Sequence, residues 1–92
     1  MAQVANIPAV VSKVLAALEQ KVPGATTDVE KVPGLETTYY RIAVLSEHFR
    51  GMDFDDRHDL VWRIMCEVAG KQDQRRIISI LPLTPEELRG ED

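Results

Sequence analysis

Phe49-Arg50-Gly51-Met52-Asp53-Phe54-Asp55-Asp56-Arg57-His58 marks the point at which the chain changes its hydrophobic period. Before it, Tyr40, Ile42 and Val44 alternate with Arg41 and Ala43, the two-residue period of a strand. After it, Leu60, Val61, Ile64, Met65 and Val68 recur at the three- and four-residue steps of a helix. Gly51 breaks the strand pattern, and Asp53 with Asp56 offers a capping arrangement at the helix start. Asp55 and Asp59 add carboxylates near the positive end of the helix dipole. A second apolar run, Ile77-Ile78-Ser79-Ile80-Leu81, ends at Thr84-Pro85-Glu86-Glu87. The segment therefore reads as a strand, a helix, and a strand parallel to its partner. Thr84 then caps a short last helix, with Pro85 in its first turn and Glu87 completing a capping box.

Working toward the N-terminus, Pro33-Gly34 is a turn signal joining the strand at about 38–46 to a weaker one at about 26–32. In the weaker strand, Thr27 and Val29 alternate with Asp28 and Glu30. The two strands are expected to form an antiparallel hairpin. Before them, Asn6 and Pro8 start a first helix whose stripe is Val11, Val14, Leu15 and Leu18, with Val22 as an optional fifth member. Pro23-Gly24 stops that helix. Gly70 stops the second helix, and residues 71–75 read as a polar turn before a strand at about 76–81. The predicted fold is α/β, an α+β sandwich in α-β-β-α-β-α order. Its three-stranded mixed sheet has helices packed on one face. The expected core adds Ile42, Val44, Leu60, Val61, Ile64, Met65, Val68, Ile78 and Ile80 to the first-helix stripe. Alternation puts Tyr39, Ile77 and Leu81, with Ser79, on an open opposite face.

The central stretch resembles the BolA family, small proteins with a type II KH-like fold. The resemblance rests on Ser46-Glu47-His48-Phe49-Arg50-Gly51-Met52, on Arg57-His58, and on Thr84-Pro85-Glu86-Glu87, in that order. It covers about half of the chain and implies a single BolA-like domain over residues 1–92. Phe49, Gly51, Arg57 and His58 are its family-motif positions and candidate partner contacts. A plainer reading of the last two makes His58 a half-buried residue bonded to a backbone carbonyl. In that reading, Arg57 pairs with Asp53 or another nearby carboxylate.

The resemblance implies a non-enzymatic regulatory or adaptor protein that pairs with a monothiol glutaredoxin. Roles in iron or redox homeostasis, stress response and transcriptional regulation follow from the same resemblance. In the family the pair shares an iron-sulfur cluster, to which the BolA side gives a histidine at the start of the third strand. In some members it also gives a cysteine or histidine from the loop between the first two strands. Aligning Thr84-Pro85-Glu86-Glu87 puts Arg76 at the histidine position, and that loop contains neither residue. Arginine stays protonated and does not ligate iron, so the shared cluster is in doubt. Three readings stand: glutaredoxin binding without a cluster, recruitment of His48 or His58, and divergence to another partner.

Composition sets the remaining bounds. The 92 residues carry a formal net charge of −4, which weighs against nonspecific nucleic-acid binding. KH domains that hold nucleic acid use a GXXG loop, and the sequence contains none. Arg63, Lys71, Arg75 and Arg76 still form a candidate DNA-contacting face, set against the reading of a solvated surface balanced by Glu67 and Asp73. The single cysteine, Cys66, reads as a reduced, partly buried thiol, which favours the cytoplasm. No apolar run approaches the roughly 20 residues that span a bilayer, and no signal peptide is read. His48 and His58 lack the neighbours of a catalytic triad, so neither a catalytic residue nor a small-molecule substrate is expected. A metal role for His58 is the weakest candidate on the chain.

Overall fold

The spacing of Val11, Val14 and Leu18 becomes α1 (Ala9–Lys21), which buries those three residues. The helix stops at Lys21, and Gly24, at a φ of +67° that a side-chain-bearing residue rarely adopts, turns the chain toward the first strand. The hairpin follows as β1 (Thr26–Pro33) and β2 (Thr38–Leu45), paired antiparallel from Thr26 opposite Leu45 to Pro33 opposite Thr38. Gly34 is required at its turn, because a Cβ there would lie 2.6 Å from both Thr37 O and the Tyr39 ring. A 3-10 turn (Glu47–Phe49) and Gly51, at φ +84°, redirect the chain into α2 (Phe54–Val68). It continues through α3 (Lys71–Gln74) and β3 (Ile77–Leu83) to α4 (Pro85–Leu88). This computed structural model describes residues 7–90.

The strands form one mixed sheet in the order β1-β2-β3, with β3 parallel to β2. Tyr40, Ile42 and Val44 face α1 and α2 and are buried, as their alternation predicts. Tyr39, Arg41 and Ala43 look the other way. Pro82 lies within β3 and is buried. A proline fits there because β3 is an edge strand, on which one backbone N–H has no ladder partner to lose.

Strict alternation fails in β3. Tyr40 pairs with Ile77 but Arg41 pairs with Ser79, so Ile78 is an extra residue bulged out of the ladder. The bulge shifts the phase of the strand by one residue. Ile77 is therefore 2% exposed and in the core, whereas Ile78 is 45% exposed. Ile80 keeps its expected core place. The expectation that Ile78 is buried and Ile77 is on the open face is thus reversed.

Other expectations are corrected by neighbouring geometry. Residues 71–75 are not simply a polar turn, because Lys71–Gln74 form one helical turn, and the Gln74 side-chain amide donates to Ala69 O at 2.8 Å. Val68 lies outside the core at the margin of the stripe, and Leu15 and Leu60 pack against the core while only partly buried. Phe49, Val22, Tyr40 and Ala69 join the core instead. Cys66 is exposed, one residue off the buried stripe that carries Ile64 and Met65. Asp53 occupies the cap position of α2 without a side-chain cap bond. Its exposed carboxylate stays in water, while its backbone carbonyl accepts from Arg57 N at 3.0 Å. At α1 the cap is Pro8, which also makes no side-chain bond, and Asn6 lies outside the described residues.

The bulge can be tested by a pair of substitutions. Ile77→Ala is expected to cost about 2–4 kcal/mol of unfolding free energy in urea titration. Ile78→Ala should stay within about 0.5 kcal/mol of the parent. Equal costs at the two positions would mean that no phase shift occurs.

Candidate functional site

The motif residues meet where α2 begins and β3 ends. Phe49 is fully buried, and Met52 N donates to Phe49 O at 3.0 Å across the Gly51 turn. Arg57, only 6% exposed, closes the junction. Its Nη1 and Nη2 donate to the two carboxylate oxygens of Glu87 at 2.7 and 3.2 Å. Nη1 also donates to Pro82 O at 3.3 Å, and Nε to Met52 O at 3.2 Å. The guanidinium carbon lies 5.9 Å from the ring centroids of both Phe49 and Phe54. Arg57 thus pairs with a carboxylate, as the plainer reading holds, but with Glu87 rather than Asp53.

Glu87 is held in place by the predicted capping box. Its N–H donates to Thr84 Oγ1 at 3.3 Å, and its Oε1 accepts from Thr84 N at 3.0 Å. The Arg57 hydrogen bond, followed by the backbone bond from Thr84, lowers its carboxyl to about 2 from an ordinary 4.5. On the outer side of this junction Arg50 bridges Glu47 at 2.7 Å and Glu86 at 2.8 Å. Three of the four motif residues are therefore structural. His58 is exposed, not half-buried, and its ring stacks on Trp62 with centroids 5.7 Å apart. Among the described residues no three His, Cys, Asp or Glu side chains converge as metal ligands.

Arg76 sits at the other end of the sheet. Tyr40 N donates to Arg76 O at 2.7 Å at the start of β2, whereas Ser46 N donates to Leu83 O at the far end. Six residues of strand separate those bonds, roughly 20 Å at about 3.3 Å per residue. His48 follows β2 directly, and His58 adjoins Arg57 beside Pro82. Both histidines therefore belong to the end opposite Arg76. Neither is placed to stand in for a donor at the start of β3.

The Arg76 guanidinium carbon lies 5.9 Å from the Tyr40 ring centroid, and its Nε is buried without a hydrogen-bond partner. Lys71 and Arg75 flank it through α3, and Leu35 at the hairpin tip is fully exposed. Arg63 pairs with Asp59 at 2.9 Å on α2. The sequence did not single out Leu35 or the role of Glu87 as an ion-pair partner. The Thr-Pro-Glu-Glu segment was the available signal for Glu87, but its partner lies 30 residues away.

Among solved structures the chain is similar to BolA1 from Arabidopsis thaliana, with a TM-score of 0.64 and 22% identity over 88% of this chain and 98% of that one. It is also similar to a BolA protein homologue from Coxiella burnetii, with a TM-score of 0.55 and 20% identity over 85% and 94% of the two chains. No family model matches the sequence, and no curated protein does. At these identities the likeness is one of fold. The chain has the BolA fold, with the element order and mixed sheet that the sequence predicts.

The depressed Glu87 carboxyl sets the pH response of the junction. A folded-state value near 2 against an ordinary 4.5 means that its stabilisation is fully present above about pH 4.5 and is lost as pH falls through about 2. Urea unfolding at stepped pH is expected to show this decline, with a shallower acid limb in Glu87→Gln. Arg57→Ala, which strips two carbonyls and a carboxylate of their donor, should cost roughly 2–4 kcal/mol at neutral pH.

Proposed function

We propose that this chain is a BolA-like, non-enzymatic adaptor of the cytoplasm that binds a monothiol glutaredoxin and so acts in iron or redox homeostasis. The supporting observation is the BolA fold over nearly the full length of two BolA proteins, joined to the motif residues that build its central junction. The contact surface in this reading is the end of the sheet that carries Arg76, which rests on the buried Tyr40, and the exposed Leu35. A role in stress response or transcriptional regulation would follow from the partner rather than from a site on this chain.

The side chains present do not fit a shared iron-sulfur cluster at that surface. Arg76 offers a protonated guanidinium held against Tyr40, and residues 34–37 offer only Glu36 as an ionisable side chain. The histidines lie at the far end of the sheet. Glutaredoxin binding without a ligand from this chain is accordingly the form of the proposal.

A second reading is a DNA-binding module. It is favoured by Lys71, Arg75 and Arg76, which lie in and just after α3 and make no ion pair with a carboxylate among the described residues. The net charge of −4 opposes it.

Titrating the isotope-labelled chain with a monothiol glutaredoxin separates the two readings. Amide shifts are expected around Leu35, Tyr40 and Ile77, weakened by Arg76→Ala and independent of added iron and sulfide. An absence of shifts at high concentration removes the glutaredoxin reading. Duplex DNA binding at low salt that fades steeply as salt rises would favour the second reading instead.

A further inference from the structure

We propose that the helix-free face of the sheet is a docking furrow for one amphipathic helix of a partner protein, apolar along one flank and lysine- or arginine-bearing along the other. This goes beyond the adaptor reading. The face lies opposite the one on which Arg76 rests against the buried Tyr40.

The register supplies the composition of the furrow. Asp28 pairs with Ala43 and Glu30 with Arg41, while Ser79 and Leu81 sit opposite Arg41 and Ala43 on the other side. Paired residues share a face, so these six side chains look away from the core. They line a hollow of about 160 Å³. Ala43, the small residue on the central strand, is its floor. Leu81 is 44% exposed along the β3 side.

Charge is confined to the other side. Asp28 Oδ1 accepts only from Val29 N, at 3.0 Å, and Glu30 is 3.6 Å from Arg41 Nη1. Two carboxylates thus face one guanidinium, while the β3 side carries none. A complementary occupant must present cations over β1 and apolar groups over β3.

Dimensions select a helix. Two strand spacings are about 9.5 Å, close to the roughly 10 Å diameter of an α-helix. A second copy of this chain fits poorly. Face-to-face pairing about a two-fold axis lays Asp28 and Glu30 either on their own counterparts or on Leu81. Strand addition at β3 is opposed by Pro82, which has no N–H to donate.

The test uses the full chain and two synthetic peptides of about 16 residues, long enough as helices to cover a seven-residue strand. One has a leucine flank and a lysine flank, and the other has glutamate in place of lysine. The lysine peptide is expected to shift the amides of Ala43, Ser79 and Leu81 and to bind better than the glutamate peptide. Leu81→Asp should weaken it roughly tenfold or more, and Asp28→Lys with Glu30→Lys should reverse the preference. Binding absent, centred elsewhere, indifferent to peptide charge or unaffected by these substitutions overturns the proposal. So does a concentration-dependent dimer that shifts the same amides without peptide. Because the glutaredoxin contact is read through Arg76→Ala, either proposal can fail alone.

Discussion

The fold hangs on burying one guanidinium. Arg57 must be charged, and in a site only 6% exposed that charge is tolerable only with acceptors on every side. Those acceptors come from three separate segments: Met52 before α2, Pro82 in β3, and Glu87 in α4. None of the three can move far without stranding the cation. The short α4, with no buried residue of its own, is held chiefly by this pair and its capping box.

That junction gives three of the four motif residues a structural role. Phe49 fills the core, Gly51 supplies the positive φ that turns the chain, and Arg57 ties three segments together. Their joint presence specifies a shape. Fold and partner recognition are separable, and His58, the fourth motif residue, stays exposed. Arg76 illustrates this, because it lies some 20 Å of strand away from the junction and carries no structural hydrogen bond through its side chain.

Elements with one dominant period were legible in the sequence. The stripe of α1, the alternation of β2 and the Thr84 capping box reached the structure almost unchanged, since each is set by neighbours within a turn or a ladder. What was not legible depends on contacts distant in sequence. The Ile78 bulge arises from pairing with β2, so Ile77 and Ile78 look equivalent until the partner strand fixes the phase. Glu87 was visible as a cap but not as the partner of Arg57. His58 lies nearer the surface than the sequence predicts, because its ring stacks on the half-buried Trp62 instead of bonding to a backbone carbonyl. The acidic first turn of α2 carries Asp55 and Asp56 as the sequence predicts, but Asp53 makes no side-chain cap bond.

The open sheet face sets the strength of contact such a small chain can make. It is about 10 Å wide and, at seven residues of β3, about 24 Å long, so one docked helix covers a few hundred Å². Stable complexes bury about 800 Å² on each partner. A helix there would therefore be held reversibly, with selectivity from the carboxylates of β1 and affinity from Leu81.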